Sequence, residues 1–235
     1  MISVLVAFRD DDGPEGHRTR LWGFVREALA THLPEAEVLI GTDDSMPFNK
    51  CRALNDAAGR ARGEVIYILD ADSWVRSLHV RAAAAAIEAE PERWWRPWNM
   101  KLKLSQAATE QVLATPGWDG ELGKELTRRF ENRNAYWAAP PLLLHRSVFE
   151  AVGGLDTRFD GWGQEDEAFA LSLKALYGQP EQLIGTCIHL WHPRIGRSGH
   201  DLWPGQQDTT RNRALVTEYM KARTPEQMRD LIATR

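Results

Sequence analysis

The sequence has few cysteines, and they lie far apart. Only two of its 235 residues are cysteines, Cys51 and Cys187, and each lies in an apolar context. Widely spaced cysteines of this kind are typical of reduced, buried thiols and not of the paired framework found in small secreted domains. The sequence therefore predicts a protein of a reducing compartment, and a cytoplasmic location is the simplest interpretation.

Long basic runs and long apolar runs are also absent. The formal net charge is -4 and the chain has no long basic run, which argues against a nucleic-acid partner. No apolar stretch approaches the roughly 20 residues that a membrane span requires. Met1 is followed at once by the strand-like segment Ile2–Phe8 and not by a basic leader. We therefore expect neither an export signal nor a membrane span.

Short apolar runs alternate with amphipathic segments in the first part of the chain. The runs Ser3–Phe8, Val38–Gly41 and Val65–Leu69 have the composition of buried parallel strands. Between them, Arg18–His32 and Asn49–Arg62 carry apolar residues three and four positions apart, which places those residues on one helix face. This order predicts an α/β fold with an open, mostly parallel twisted sheet of the kind that binds nucleotides.

The predicted strands are not followed by glycine-rich loops. Neither G-x-G-x-x-G nor G-x-x-x-x-G-K-[ST] occurs after any of them. Phosphates therefore cannot be bound by backbone N–H groups in the manner of dinucleotide-binding folds or P-loops. A nucleotide bound here would need a cation held by acidic side chains.

The remaining pattern is less regular. It predicts a helix over Ser77–Glu90, an extended segment over Arg93–Trp98, a strand over Leu142–Leu144, a short helix over His145–Val152, a late strand over Leu183–Trp191 and one or two helices within Thr210–Arg235. The chain also has ten tryptophans. We expect most of them in the core, while any exposed indole would offer a flat face to a sugar ring.

Asp70 and Asp72 directly follow the predicted strand Val65–Leu69. Ligands of open α/β sheets bind at the carboxyl ends of the strands. Two carboxylates one residue apart at such an end can hold a divalent cation against a phosphate, or they can cap the next helix. On this fragment alone both interpretations stay open.

Three acidic residues, Glu165, Asp166 and Glu167, begin a predicted helix just after Trp162 and its flanking glycines. Acids in a first helical turn are favoured by the helix dipole, so capping alone explains part of the pattern. The same positive helix end would keep a carboxylate ionised, as a general base must be. We interpret the cluster as a candidate site for a base that accepts a proton from a hydroxyl group.

His189 and His192 lie three residues apart at the end of the late strand, just before Pro193. A lone histidine is more often a core or surface residue. Two histidines at a strand end that bends at a proline can both reach one site, and imidazole is a common metal ligand. The pair therefore favours metal binding.

Together these segments resemble the nucleotide-sugar-dependent glycosyltransferases of the GT-A fold. Phe48–Ala58 is similar to the helix before the metal-binding strand in the family-2-like enzymes, and Leu69–Asp72 is similar to their D-x-D motif. Gly161–Glu167 (G-W-G-Q-E-D-E) resembles the G-W-G-x-E-D-[DE] motif of β-1,4-galactosyltransferases and polypeptide N-acetylgalactosaminyltransferases. The resemblance covers about residues 1–75 and 140–195.

The resemblance implies ligands for a UDP-sugar and its metal ion. Asp72 would bind Mn²⁺ or Mg²⁺, and His192, with His189 as a further candidate, would complete the coordination. The residues implied to bind the nucleotide-sugar are Arg9, Asp43, Asp44, Asn49, Asp70 and Trp162. Among these, Arg9 and one of the two acids Asp43 and Asp44 would lie near the base and ribose, and Trp162 would cover the sugar.

The resemblance also implies a catalytic base. Asp166 matches the carboxylate that deprotonates the acceptor hydroxyl in the inverting galactosyltransferases, and Glu165 lies beside it. Retaining relatives usually have asparagine at this position, so the resemblance implies inversion. Two departures are present, because Gln164 replaces the usual second glycine and His189 stands where a softer metal ligand can occur.

The implied organisation is one GT-A domain over residues 1–235. Residues 1–100 would bind the nucleotide-sugar, residues 101–207 would form the acceptor and catalytic half, and residues 208–235 would form C-terminal helices. The acceptor hydroxyl would belong to a glycan or a protein. The alternatives are a metal-dependent hydrolase or phosphatase that uses the same acids and histidines, a glycosidase, and a non-catalytic sugar-binding module.

Overall fold

The structure is a computed structural model that describes residues 1–10, 16–122, 140–161, 163–193 and 209–235. The first half contains β1 (Ile2–Ala7), α1 (His17–His32), β2 (Glu37–Gly41), α2 (Lys50–Arg60), β3 (Val65–Ile68), β4 (Ser73–Val75), α3 (Ser77–Ala89), β5 (Trp94–Arg96), β6 (Met100–Lys103) and α4 (Gln106–Leu113). The second half contains β7 (Leu142–His145), α5 (Arg146–Ala151), α6 (Glu165–Tyr177), β8 (Glu181–Gln182), β9 (Thr186–His189), α7 (Thr209–Lys221) and α8 (Pro225–Ala233).

The main sheet has six strands in the order β2-β1-β3-β7-β5-β8. β1 pairs in parallel with both β2 and β3, whereas β7 runs antiparallel to β3 and to β5. A second sheet has the order β4-β9-β6. The open, mostly parallel sheet flanked by helices that the sequence predicts is therefore confirmed.

Helices cover both faces of the main sheet because its strands are apolar on both sides. In β1, Val4 and Val6 pack into one core with residues of α1 and α3, while Leu5 packs into a second core with residues of α2 and α6. The side chains of a strand alternate between faces, so a run without polar residues must be covered twice. This arrangement leaves the strand ends as the place where polar side chains can gather.

The cysteines and most of the described tryptophans belong to the core. Both cysteine thiols are buried and unpaired, as the sequence predicts. Five indoles are buried, those of Trp22, Trp74, Trp94, Trp98 and Trp118. These five side chains therefore stabilise the fold and do not present a face to a sugar.

The late strand is shorter than the sequence pattern predicts. Instead of one strand over Leu183–Trp191, the chain forms β8 in the main sheet and β9 in the second sheet. The chain changes sheets between them, where the carbonyl of Gly185 accepts hydrogen bonds from the backbone N–H groups of Asn99 and Met100.

Among the described residues, no helix combines the length and apolarity needed to cross a membrane.

Candidate functional site

Three parallel strands end at the same edge of the main sheet, and each is followed by charged residues. Arg9 follows β1, Asp43 follows β2 and Asp70 follows β3. Parallel strands bring their carboxyl ends together, so this edge collects the side chains that the sequence predicts at strand ends. The candidate site lies here, at the end of β3.

Asp72 lies beside both predicted histidine ligands. Its Oδ2 is 3.3 Å from Nε2 of His192, and its Oδ1 is 3.7 Å from Nε2 of His189. One potential ligand atom from each of the three residues lies within 4.8 Å of the others. The approach follows from strand pairing, because His189 is the register partner of Ser73 in the antiparallel pair of β4 and β9.

The two imidazoles are oriented as metal ligands usually are. Nδ1 of His189 donates to the carbonyl of Leu190 at 2.9 Å, and Nδ1 of His192 donates to the carbonyl of Pro193 at 3.0 Å. A carbonyl only accepts, so in the neutral rings Nδ1 carries the hydrogen and Nε2 carries a lone pair. Both lone pairs face a carboxylate that is itself an acceptor, an arrangement that a cation would satisfy.

The backbone between the histidines is fixed by three neighbouring segments. The Leu190 N–H donates to the carbonyl of Asp72 at 2.8 Å. The Trp191 N–H donates to Oγ1 of Thr109, and Nε2 of His17 donates to the Trp191 carbonyl, each at 2.8 Å. Because these contacts come from α1, α4 and the D-x-D turn, the surrounding fold fixes the backbone that carries the two histidines.

Helix α6 presents the second acidic cluster. Its first residue, Glu165, is 6% exposed, and its Oε2 accepts the Gly163 N–H at 2.8 Å. Asp166 follows in the first helical turn, where the helix dipole favours negative charge. The N-cap, Gln164, has a φ of 76° and is the one residue other than glycine with positive φ in the described part of the chain.

The left-handed conformation of Gln164 is one that glycine would adopt more easily. An L-residue with a side chain costs about 1 kcal/mol or more in this region, whereas glycine adopts it freely. We expect Gln164→Gly to raise the free energy of unfolding by up to about 1 kcal/mol, since part of the gain is offset by the greater flexibility of glycine in the unfolded chain. Chemical denaturation of the two proteins measures this difference, and a loss of stability in the variant would contradict it.

Lys50 joins the two acidic clusters. Its Nζ lies 3.0 Å from Oδ1 of Asp70, 2.9 Å from Oδ1 of Asp166 and 3.8 Å from Oε1 of Glu165. The lysine is the first residue of α2, where the helix dipole disfavours a cation. No role for Lys50 is predicted from the sequence, although a positive charge at the start of a helix is a signal that could have indicated one.

The charges in this cluster influence one another strongly. Burial tends to lower the pKa of Lys50, but the surrounding carboxylates raise it well above its usual value. Burial tends to raise the pKa of Asp70, but Lys50 and Lys101 lower it overall. Burial raises the pKa of Asp166 in spite of Lys50, and burial together with Asp166 raises the pKa of Glu165 to about 7.

The pKa values of both neighbouring acids of α6, Glu165 and Asp166, are raised. Asp166 binds a proton more strongly than an ordinary aspartate, which is useful for a general base. Glu165 is partly protonated near neutral pH, and a buried carboxyl in that state can also donate a hydrogen bond. Carboxylates with perturbed proton affinities are typical of catalytic sites.

Lys101 is a second lysine that sequence reasoning missed. It lies on β6 as the register partner of Cys187, and its Nζ donates to the Pro140 carbonyl at 3.2 Å. Burial tends to lower its pKa, but the charges of Asp70 and Asp72, among others, raise it overall. The strand is only four residues long and alternates lysine with apolar residues, so the sequence pattern alone does not reveal what this side chain faces.

The side chains predicted near the nucleotide base lie at the same edge but contact other parts of the protein. Arg9 donates to the carbonyls of Asp43 and Ser45 at 3.2 and 2.8 Å, and its guanidinium lies 5.1 Å from the ring centre of Phe48. The Asp43 carboxylate accepts the Asn49 N–H at 2.9 Å and also binds Ser45. These contacts order the loop between β2 and α2.

Asn49 and Asp44 differ greatly in exposure. The Asn49 side chain is fully buried, and its Nδ2, which has two N–H donors, lies 3.0 Å from three acceptor oxygens, those of Thr157, Phe159 and Asp160. Its Oδ1 caps α2 by accepting the backbone N–H of Arg52. Asp44 is exposed.

Trp162 lies outside the described residues, so its predicted contact with the sugar stays a prediction.

No protein-family model and no curated protein matches the sequence. The structure of GalNAc-T7 with UDP, GalNAc and Mn²⁺ is similar, with a TM-score of 0.54 and 13% identity, over 95% of this chain and 49% of that chain. TarS of S. aureus has a TM-score of 0.48 and 14% identity, over 80% of this chain and 60% of that one. The catalytic domain of Drosophila β1,4-galactosyltransferase 7 in complex with xylobiose has a TM-score of 0.39 and 15% identity, over 89% and 71% of the two chains.

This chain spans about half the length of the GalNAc-T7 chain. At such low identity the similarity shows the fold and not the activity. The similarity to GalNAc-T7 therefore shows that the chain has a GT-A fold, as the resemblance of its motifs implies.

Proposed function

We propose that the protein is a metal-dependent glycosyltransferase that moves a sugar from a UDP-sugar to an acceptor hydroxyl. The observation that carries this proposal is the joining of two acidic clusters by one lysine. Asp70, at the D-x-D turn, and Asp166, at the start of α6, both lie within 3.0 Å of Nζ of Lys50. The first cluster suits a nucleotide diphosphate with its cation, and the second suits a base for a hydroxyl.

Asp72, His189 and His192 fit a divalent cation such as Mn²⁺ or Mg²⁺. One carboxylate and two neutral imidazoles leave a bound divalent ion with a net positive charge, which attracts a diphosphate. Burial lowers the pKa of His189, which favours the neutral form that a metal ligand requires. When bound, the cation would stabilise the negative charge that grows on the leaving diphosphate.

Asp166 is the proposed base. Its carboxylate offers about four lone-pair positions, and the two hydrogen bonds from Lys50, at 2.9 and 3.2 Å, leave others free for an acceptor hydroxyl. Glu165 is held by Gly163 and lies too deep to face a large acceptor. Its role in the proposal is to orient the start of α6 beside the base.

Inversion of the anomeric carbon follows from a single displacement. In that step the acceptor oxygen attacks the face opposite the diphosphate while Asp166 removes the hydroxyl proton, so no covalent sugar–enzyme intermediate is needed. The stereochemistry can be tested by NMR of the product formed from an α-linked UDP-sugar. A β-linked product supports the proposal, whereas an α-linked product would contradict the role of Asp166 as base.

A metal-dependent hydrolase or phosphatase is the second candidate, because Asp72, His189 and His192 could also activate water. Lys50 lies between Asp70 and Asp166, and this arrangement favours sugar transfer. Hydrolysis by a metal-bound water would not need a second carboxylate at the position of Asp166. Turnover in ¹⁸O-labelled water distinguishes the two. Label in the released sugar or phosphate in the presence of an excess of acceptor would favour the hydrolase.

A further inference from the structure

No role for Lys50 is predicted from the sequence, yet its ammonium group contacts carboxylates of both acidic clusters. An ammonium has three N–H donors. Three carboxylate oxygens lie within 3.2 Å of Nζ, one from Asp70 and two from Asp166. The ammonium therefore donates to both carboxylates, and a bound substrate would have to compete for these donors.

The position of Lys50 is fixed by the contacts of the residue before it, Asn49. The residue before it, Asn49, binds the carbonyls of Thr157 and Phe159 and the carboxylate of Asp160 through its buried amide. Those three acceptors belong to the segment that leads into α6. The start of α2 is thus tied to the segment that leads to Asp166. This link helps to fix the distance between the Lys50 ammonium and the Asp166 carboxylate.

The location also opposes an ordinary structural role for the lysine. A cation at the first residue of a helix is disfavoured by the helix dipole, and a half-buried cation loses hydration. Exposed ion pairs elsewhere on α2, such as Arg60 with Asp56 at 2.6 Å, provide no comparable link between distant segments. Lys50 therefore lies in an otherwise unfavourable place from which it contacts Asp70 and Asp166 together.

We propose that Lys50 is a positioning residue that holds the Asp166 carboxylate in its reactive orientation and links it to the donor side of the site through Asp70. This inference rests on the proposed function of Asp166 as base. The lysine acts through Asp166 and does not recognise the donor. Its removal should lower the rate of the chemical step and leave the binding of UDP with a metal ion nearly unchanged.

The first test compares Lys50→Met, which keeps an unbranched side chain of similar length, with Lys50→Arg and with the control Arg60→Met at the other end of α2. We expect Lys50→Met to lower kcat about 100-fold, as small misplacements of catalytic groups do. KM for the UDP-sugar should stay close to the wild-type value. Lys50→Arg should recover part of kcat, and Arg60→Met should match the wild type. An unchanged kcat with a raised KM would make Lys50 a donor-binding residue and overturn the proposal.

A double variant tests the same idea without relying on the stability of Lys50→Met. Lys50→Met combined with Asp166→Asn removes one positive and one negative charge together, so the cluster keeps its charge balance. If Lys50 acts through Asp166, the double variant should have the same kcat as Asp166→Asn alone. A further drop of similar size to that of the single lysine variant would show an independent role and contradict the proposal.

A crystal structure of Lys50→Met separates failure of this proposal from failure of the proposed function. Displacement of the Asp166 carboxylate from its wild-type position is expected whether or not UDP-sugars are substrates. An Asp166 side chain that keeps its position without the lysine would overturn the positioning role. Absence of turnover by the wild-type protein would instead contradict the proposed function.

Discussion

Replacing Asp166 by asparagine is expected to lower kcat by about 10²- to 10⁴-fold, the usual contribution of a positioned general base. The change keeps the size of the side chain but removes its capacity to take a proton. It also removes the negative partner of Lys50, whose Nζ is 2.9 Å from Oδ1 of Asp166. Steady-state kinetics with the UDP-sugar that the wild-type protein uses would measure the loss.

Two further observations make the Asp166 result specific. Binding of UDP in the presence of Mn²⁺ should change little, because Asp166 is not one of the three candidate metal ligands. The matched control is Glu167→Gln, which removes an acid from the same helical turn and should leave kcat close to the wild-type value. Undiminished turnover by Asp166→Asn would exclude Asp166 as the base.

Replacing Asp72 by asparagine is expected to weaken metal-dependent UDP binding at least about 100-fold. Changes to residues that merely support a metal ligand typically cost 10- to 100-fold, and Asp72 is itself a candidate ligand that lies 3.3 and 3.7 Å from the two imidazoles. It also supplies the single negative charge of the trio. Isothermal titration of UDP into protein that contains Mn²⁺ would measure the affinity.

The control for this variant is Asp56→Asn, which removes an exposed carboxylate of α2 that forms an ion pair with Arg60, away from the candidate site. It should bind UDP with Mn²⁺ as the wild type does. Equal affinities for wild-type and Asp72→Asn proteins would rule out a metal site at the end of β3, and the diphosphate would then need another partner.

The first strands and helices could be predicted from the sequence because their signals are local. β1 and β3 are mostly apolar runs buried on both faces, β2 is a mostly apolar run that is only partly buried at the edge of the sheet, and α1 carries an apolar stripe with helical spacing. Side-chain burial on both sides of a sheet leaves a pattern that needs no knowledge of distant residues. Strand boundaries there differ from the prediction by only one or two residues.

The short strands of the second sheet could not be predicted in the same way. β4 has three residues and β6 has four, two of them lysines, so neither forms a recognisable run. They exist because β9 pairs with both of them. That pairing, between segments more than eighty residues apart, is what carries His189 to Asp72.

The motifs located the acidic clusters and the histidines, but spacing alone could not supply their partners. Lys50 is 20 residues from Asp70 and 116 residues from Asp166 along the chain. Asn49 is predicted to bind the nucleotide-sugar, and in the fold its amide also ties α2 to the segment before α6. The contacts of Lys50 and of Asn49 both depend on the packing of segments that are distant in sequence. No fixed spacing of residues in a single sequence predicts such contacts.

Consumption of UDP-sugars by the purified protein, with Mn²⁺ and after its removal by EDTA, is the most direct test of the proposed function. A panel of UDP-sugars should include at least one that releases UDP and glycosylates an added acceptor with Mn²⁺ present. The same reaction should stop after EDTA and resume when Mn²⁺ is restored in excess. Turnover that is indifferent to EDTA, or a panel in which no UDP-sugar is consumed, would contradict a metal-dependent glycosyltransferase.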